Sequence, residues 1–427
     1  MIRESDEGQA RAEEVEDFVL QSLFHRVDLR RFSRNAQLYF AFSILYSSGM
    51  ALFSLLYNLY LLRLGYREDF IGLLAGMMPL TSGLCAIPIG MGSDRWGRKP
   101  FMMAASLLLA LSQVGLCLIT RSTPLLALGL LSGISPAMVY VNHVPYLSEN
   151  SRPEDRGTVI SLAFSTYIVT SMAMSLVGGN LPRWVGDWMG VGLDRPEPFR
   201  YALLFGTALT ACSILPALKM GEARPSRGPL PKEADSASPD LVPWSILLIF
   251  AATSALRGLG MGLSFPFFNV FFEESLHAST REIGLIFFCS RLVSMPSAVV
   301  SPGLSRRFGA VPALFSLRLI SGVSLAVLGV TGSLPPAFGV FLVYSIAESM
   351  ATPQEMTFAT NQVSRAYWGR GQSLRVTGSQ LSAAAGSVMA GRMIVSAGYG
   401  FTFGLAALAV FGSAILLLAK FGWHYQE

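Results

Sequence analysis

Long runs of apolar residues alternate with short polar segments along this chain. A helix needs about 20 apolar residues to cross the hydrocarbon core of a bilayer, and twelve runs are long enough. Hydrocarbon offers no hydrogen-bonding partner, so each run is predicted to be an α-helix. The pattern therefore predicts an all-α membrane protein with twelve transmembrane helices. The runs cover residues 36–62, 68–92, 100–120, 123–148, 157–181, 199–220, 243–272, 280–304, 311–332, 334–358, 371–397 and 399–421.

The N-terminal segment is polar. Residues 1–35 are rich in acidic residues and arginine, and they lack the apolar core of a signal peptide. Within them, Val15, Val19, Leu23 and Val27 recur every four residues, which places them on one face of a helix. The pattern favours a cytoplasmic amphipathic segment beside the bilayer. A partly ordered tail is the alternative.

A second polar segment divides the chain. Residues 221–242 are rich in proline and charge and show no hydrophobic periodicity, which is typical of a linker. This predicted cytoplasmic linker separates an N-terminal bundle of six helices, residues 36–220, from a C-terminal bundle of six helices, residues 243–427.

The two bundles resemble each other at a fixed offset of 212 residues. No gap is needed over roughly forty residues, which predicts a duplicated six-helix unit and two pseudo-symmetric bundles. The matches are Ile71-Gly72-Leu73 with Ile283-Gly284-Leu285, Ser82 with Ser294, Ala86 with Ala298, Gly97 with Gly309, and Pro100 with Pro312.

Charge is sparse and unevenly placed. Charged residues make up 14% of the chain, against about 25% in soluble domains. The net charge of +5 is not concentrated in one block, so a nucleic-acid partner is not predicted. With the N-terminus inside, about 18 basic residues near the membrane fall on the cytoplasmic side and about 7 on the other. The positive-inside rule then predicts an inner-membrane protein with both termini cytoplasmic.

Cysteines give no sign of a metal site. All four lie inside apolar runs, without the paired spacing of metal ligands. We therefore expect no disulfide, no metal and no cofactor. The four are Cys85, Cys117, Cys212 and Cys289.

The loop after the second run carries a recognisable motif. It reads Gly90-Met91-Gly92-Ser93-Asp94-Arg95-Trp96-Gly97-Arg98-Lys99. This matches the pattern G-x-x-x-D-R-x-G-R-[RK] at the position where transporters of the major facilitator superfamily carry it. A weaker copy, Ser305-Arg306-Arg307-Phe308-Gly309, follows the eighth run. The chain thus resembles this family over nearly its whole length, which implies two six-helix bundles that work by alternating access.

The resemblance also implies a conformational latch on the cytoplasmic side. In the family, the acid of the motif caps the eleventh helix, which here begins near Gly371. A carboxylate is stabilised beside the unpaired N–H groups of a helix N-terminus. The alternative is that these charges only set the topology. The predicted latch residues are Gly90, Asp94, Arg95, Gly97, Arg98, Lys99, Glu149 and Arg156.

Ionisable residues inside the runs are concentrated in the second half. Charges at mid-bilayer are costly, so each marks a candidate site. Glu348 lies in the tenth run with Tyr344 and Glu355 on its helical face, Arg257 in the seventh and Arg291 in the eighth. Arginine suits carboxylate or phosphate, so Arg257 or Arg291 is expected to bind an anionic substrate. Glu348 would pair with the other arginine or carry a proton. A static ion pair is the alternative.

Other polar residues inside the runs complete the candidate site. His143 can change charge near neutral pH, although packing through a hydrogen bond is the simpler interpretation. Arg318, Arg375 and Arg392 are expected to extend towards the ends of their helices. The proton-coupling set is Glu348 and His143, and the substrate-binding set is Arg257, Arg291, Asn58, Asn142, Asn269, Tyr344 and Gln380.

Together these features favour a monomeric, proton-coupled secondary transporter of a small organic, anionic solute, with the substrate and the lipid bilayer as partners. Efflux of amphipathic drugs by proton antiport is the alternative. Of the G-x-x-x-G-P-x-x-G-G pattern that drug exporters carry in the fifth run, only Gly178-Gly179 remains. A sensor or lipid-handling protein that moves no soluble solute is the hypothesis of another class. No nucleophile–base pair or phosphate loop suggests an enzyme.

Overall fold

The computed structural model of the protein describes residues 32–222, 244–363 and 367–422. Six membrane-spanning helices form its N-terminal half. They are α1 Arg34–Arg63, α2 Glu68–Trp96, α3 Arg98–Leu118, α4 Ser122–Glu149, α5 Arg156–Met189 and α6 Glu197–Lys219. Most of the predicted amphipathic tail and of the predicted linker lies outside the described residues.

The C-terminal half contains the remaining helices. The last two form one continuous run, Trp368–Phe421, which Gly398 interrupts with φ 81° and ψ 175°. We number its two parts α11, residues 368–397, and α12, residues 399–421. The others are α7 Trp244–Glu274, α8 Thr280–Phe308, α9 Ala310–Val330 and α10 Leu334–Asn361.

Twelve transmembrane helices result from these bounds. Ten described helices are long and apolar enough to cross a membrane, and α8, which bends by 53°, makes an eleventh. One of the ten is the double-length run, which counts as two. The predicted fold class is therefore confirmed. One boundary differs clearly: α5 runs through Pro182 to Met189, beyond the predicted end at residue 181.

The internal repeat extends further than the sequence matches. The bounds of α2, α3 and α4 differ from those of α8, α9 and α10 by 212 residues at both ends. Gly97 and Gly309, which occupy equivalent loops, adopt nearly the same conformation, with φ 91° and ψ 162° against φ 86° and ψ 152°. Residues with a side chain rarely adopt a positive φ, so glycine is required at both turns.

A hydrogen bond repeats with the same offset. Ser82 Oγ on α2 donates to the Gly133 carbonyl oxygen on α4 at 2.6 Å. Ser294 Oγ on α8 donates to the Ser345 carbonyl oxygen on α10 at 3.3 Å. The two halves therefore share their internal packing as well as their helix lengths.

Several close contacts between the halves lie towards one end of the molecule. We call the end with Gly97 and Gly309 the loop 2–3 face, and the other end the opposite face. Near the opposite face, α2 packs so tightly on α11 that a Cβ at Gly72 would collide with the Ser387 carbonyl oxygen. Likewise α5 packs on α8, where a Cβ at Gly179 would lie 2.9 Å from the Gly284 Cα.

Candidate functional site

The opposite face is closed by polar contacts between α1 and α7. Asn58 Nδ2 on α1 donates to the Pro266 carbonyl oxygen at 2.6 Å, and Asn269 Nδ2 on α7 donates to the Leu55 carbonyl oxygen at 2.8 Å. Helix α7 is interrupted here by a 3-10 turn over Phe265–Phe267, which exposes carbonyl groups for such bonds.

An ion pair reinforces this closure. Arg63 on α1 pairs with Glu273 on α7. Tyr399 on α12 donates its hydroxyl to Glu68 on α2 at 3.5 Å. Among the described residues, every hydrogen bond and ion pair between the halves lies on this side. The polar contacts between the described parts of the two halves thus lie at the opposite face.

A central cavity of about 470 Å³ lies between the halves. Its wall is mostly apolar, and Arg291 is its one charged residue among the described residues. Four predicted substrate-binding residues line it: Asn58, Asn269, Arg291 and Gln380. The other lining residues include Phe53, Tyr57, Leu74, Met78, Gln113, Leu116, Tyr167, Met261, Phe265 and Phe287.

Arg291 lacks a carboxylate partner among the described residues. The ion pairs of the C-terminal half involve Arg257, Arg318 and Arg375 instead. A guanidinium inside a membrane protein is costly unless it is paired or faces water. The cavity therefore presents one uncompensated positive charge to any solute that enters it.

Five charged side chains form a buried cluster beside this cavity. Three arginines, Arg257, Arg318 and Arg375, surround two carboxylates, Glu348 and Glu355. They come from four helices: α7, α9, α10 and α11. Arg257 Nη1 also contacts the sulfur of Met261 at 3.8 Å, and Met261 lines the cavity. One arginine of the cluster thus lies next to the substrate space.

Glu355 and Arg318 form the core of the cluster. The Arg318 side chain is fully buried and the Glu355 side chain is 4% exposed. The two pair directly, and Arg375 Nη2 donates to Glu355 Oε1 at 3.1 Å. Ser254 Oγ adds a bond to the same oxygen at 3.3 Å. Glu355 is therefore held from three helices besides its own.

Glu348 and Arg257 form the looser edge. Arg318 Nη1 donates to Glu348 Oε1 at 3.0 Å. Arg257 lies 3.8 Å from Glu348 and 3.7 Å from Glu355, beyond hydrogen-bonding distance. The side chains of Arg257 and Glu348 are 19% and 17% exposed. The contact between Arg257 and Glu348 is therefore looser than the contacts of the core.

The expectation that Arg318 and Arg375 extend to the helix ends was wrong. Both turn inward because α10 supplies carboxylates within reach. The sequence pattern placed Glu355 on the face of Glu348 but gave it no role. Arg392 is exposed near the end of α11, as expected.

Besides Arg257 and Glu348, three predicted site residues lie away from the cavity wall. Asn142 is buried and accepts a hydrogen bond from Arg98 at 3.4 Å, so it contacts the signature motif of the loop after α2. Tyr344 packs inside the C-terminal half against Phe268, with ring centroids 5.4 Å apart. His143 contacts the Tyr140 carbonyl oxygen at 2.9 Å through Nδ1. Their predicted roles remain predictions.

The predicted latch residues form a network within the N-terminal half. Arg98 is its centre, lying 3.1 Å from Asp94 and 2.9 Å from Glu149. Arg156 donates to the Ser148 carbonyl oxygen at 3.0 Å. Asp94 is 69% exposed, and its one ion pair within the described part of the chain is with Arg98.

The remaining latch residues lie around this network. Gly90 lies on α2, one turn before Asp94, and the positive φ of Gly97 directs the chain from α2 into α3. Arg95 is exposed, and Lys99 is partly exposed.

Comparison with known proteins agrees with this architecture. The sequence profile of the Major Facilitator Superfamily matches residues 38–256 and 250–423. The chain belongs to this family and is therefore a multi-pass membrane transporter, not an enzyme.

Individual relatives are distant. The multidrug resistance protein MdtH of Aeromonas hydrophila subsp. hydrophila is 24% identical over 309 residues, which is 70% of this chain and 72% of that protein. A D-xylose–proton symporter superposes with a TM-score of 0.72 at 16% identity, covering 90% of this chain and 96% of that one. A variant of the nucleoside transporter NupG gives 0.69 at 15%, covering 90% and 100%. The two structural likenesses establish the fold alone.

Proposed function

We propose that the protein is a proton-coupled secondary transporter that carries a small organic anion across the inner membrane by alternating access. The observation that carries this proposal is Arg291, which lines the cavity without a carboxylate partner among the described residues. An anion would compensate this charge, and a planar guanidinium binds carboxylate or phosphate in a fixed geometry. The cavity volume of about 470 Å³ suits a small molecule.

Proton coupling is assigned to Glu348. An anion in the cavity that draws Arg257 towards Met261 leaves Glu348 with less positive charge nearby. Substrate binding and proton binding at Glu348 are then linked through one shared arginine. His143 has less support because it lies in the other half and contacts a backbone carbonyl.

We assign the loop 2–3 face to the cytoplasm, and a state with a closed opposite face is then an inward-facing state. The assignment rests on the excess of basic residues on that side. In a variant without the native cysteines, Arg152→Cys and Asp187→Cys should be labelled from opposite sides of the membrane by an impermeant maleimide. Labelling of Arg152→Cys from outside the cell would show that the loop 2–3 face lies outside, opposite to this assignment.

The experiment on substrate class measures thermal stabilisation of the purified protein. A panel of organic carboxylates and phosphates is compared with the matching neutral amides and alcohols. The wild-type protein should be stabilised by anions, and Arg291→Gln should lose this response while Arg291→Lys retains part of it. Arg392→Gln, an exposed arginine on α11, is the matched control. Equal stabilisation of Arg291→Gln and wild type by anions would overturn the proposal.

Efflux of amphipathic drugs is the second candidate. It is favoured by the likeness to MdtH and by the apolar side chains in the cavity wall, such as Phe53, Met78 and Phe287. The same panel discriminates between the two, because lipophilic cations would stabilise a drug exporter whether or not Arg291 is present. Under the leading proposal, such cations give no stabilisation.

A further inference from the structure

Two polar side chains in the cavity wall lack hydrogen-bonding partners among the described residues. Gln113 on α3 is 1% exposed, and its Oε1 is buried without a donor. The hydroxyl of Tyr57 on α1 is also buried without a partner. Both residues line the central cavity. Buried polar groups are usually bonded in folded proteins, so this pair needs an explanation.

Neighbouring polar residues in the wall do have partners. Ser82 donates to the Gly133 carbonyl oxygen, and Ser132 donates to the Gly129 carbonyl oxygen at 2.8 Å. Asn58 donates across to α7. The side chains of these three residues thus have hydrogen-bonding partners within the protein. Gln113 and Tyr57 differ from these three residues, because their buried oxygens are left without a protein partner among the described residues.

The two groups lie in the half opposite to Arg291. Tyr57 stacks on Phe53 with ring centroids 5.5 Å apart, and Phe53 also lines the cavity. Leu116 and Leu74 complete an apolar surface in the same half. A solute held by Arg291 on α8 and reaching α3 must cross this apolar surface. Its middle must be apolar and its far end polar.

We infer that the cavity takes an amphipathic monoanion whose far end carries a hydroxyl or N–H group, which binds Gln113 and Tyr57. The glutamine oxygen accepts a hydrogen bond from that group, and the tyrosine hydroxyl can donate or accept the second. This inference rests on the proposed function, which assigns the anionic end to Arg291. It adds Gln113 and Tyr57 as residues that determine specificity.

The physical basis of selection is desolvation. The Gln113 and Tyr57 oxygens are buried without partners among the described residues, so a ligand that brings no hydrogen-bonding group to them leaves both unpaired. A site that hydrogen-bonds a hydroxyl thereby rejects the analogue with hydrogen in its place. We expect about a 10-fold preference for the hydroxylated ligand, the usual scale for one buried polar group.

The test uses phenylalkanoates of increasing chain length, each with and without a para-hydroxyl group, and the matching primary amides. Affinities are measured for the purified full-length protein by calorimetry. Wild type should prefer the hydroxylated acid of at least one chain length by about 10-fold. Gln113→Met and Tyr57→Phe should each reduce this preference towards unity while leaving the preference for acid over amide.

Two controls keep the interpretation unambiguous. Ser112→Ala changes the adjacent residue of α3, whose hydroxyl is also buried and unpaired but does not line the cavity. This variant should keep the full hydroxyl preference. Melting temperatures of all variants report whether each one folds, and Tyr57→Phe preserves the ring stacking.

The possible outcomes separate this inference from the proposed function. If acids bind through Arg291 but the hydroxyl gives no advantage, or its advantage survives both Gln113→Met and Tyr57→Phe, the inference is overturned and the proposed function stands. If no acid binds in a way that depends on Arg291, the proposed function is overturned and the inference falls with it.

Discussion

Asn58 and Asn269 join the two halves by a reciprocal exchange of hydrogen bonds. Each asparagine donates its side-chain amide to a backbone carbonyl of the other half, at 2.6 Å and 2.8 Å. Both residues also line the central cavity. They therefore contribute to the closure of the opposite face as well as to the cavity wall. A change at either position acts on the conformational equilibrium as well as on binding.

The first prediction concerns this exchange. Asn58→Ala and Asn269→Ala should each weaken the closed opposite face by about 1 kcal/mol, which is about a 5-fold shift in population towards the state open on that side. Spin labels at Gly190 and His277 should report a longer distance in both variants. Asn180→Ala is the matched control, because Asn180 bonds only to Leu176 of its own helix. Distances in the variants that match this control would exclude the gating role.

The second prediction separates the two buried carboxylates. Glu355 is held by Arg318 and Arg375 and is almost fully buried, so Glu355→Gln leaves buried arginines without their partner. It should destabilise the protein by about 3–5 kcal/mol. Glu348→Gln removes charge from the looser edge and should cost much less. Thermal melting of the two variants in the same detergent measures this difference. Equal losses would mean that the cluster acts as one structural unit.

The Glu348→Gln variant also tests the coupling of transport to protons. In proteoliposomes, Glu348→Gln should retain exchange of labelled for unlabelled substrate, because the amide resembles the protonated acid. Accumulation driven by a pH gradient should be lost. If this variant still accumulates substrate fully in response to a pH gradient, Glu348 has only a structural role, as one partner of an ion pair.

Helix number and the repeat could be predicted because both depend on properties that are local in sequence. Apolar runs report burial in lipid whatever their neighbours are, and the glycines at positions 97 and 309 mark turns that only glycine adopts readily. The boundary between α11 and α12 within the continuous run Trp368–Phe421 could be predicted in the same way, because Gly398 separates two apolar runs in the sequence.

The partners of the buried charges could not be predicted in the same way. Arg318 was assigned to a helix end because a sequence does not show which face of α9 meets α10. For the same reason the sequence did not show that Asn142 accepts a hydrogen bond from Arg98. Gln113 was not among the predicted site residues, although it lines the cavity. A lone amide in the apolar third run was the available signal.

The third prediction concerns the signature motif. Asp94 is exposed and its one described ion pair is with Arg98, so Asp94→Asn should change the melting temperature of this state very little. If Asp94 caps α11 in the state in which the loop 2–3 face is closed, the substitution should lower the population of that state. Spin labels across the loop 2–3 face should then show fewer short distances than in wild type. An unchanged distance distribution would leave Asp94 with a role in topology only.

The fourth prediction concerns the glycines that allow α2 and α11 to approach at the opposite face. Gly72 faces the Ser387 carbonyl oxygen and the Gly391 backbone, so there is no room for a side chain. Gly72→Val should prevent this contact from forming and hold the opposite face open, since close-packed backbone cannot relax to accept the added volume. Gly404→Val is the matched control, because a Cβ there meets nothing within 4 Å.

A cysteine at Ser54, which lines the cavity, provides the measurement. In a background without the native cysteines, an impermeant maleimide added on the side of the opposite face should label Ser54→Cys faster when Gly72→Val is present. Gly404→Val should leave the rate unchanged. Because Gly72→Val prevents the state in which the opposite face is closed, it should also abolish net transport, whereas ligand binding should be retained. Unchanged labelling with normal transport would show that α2 and α11 can separate without loss of function, and the closure would then depend on the other contacts at this face, such as those between α1 and α7 and between α5 and α8.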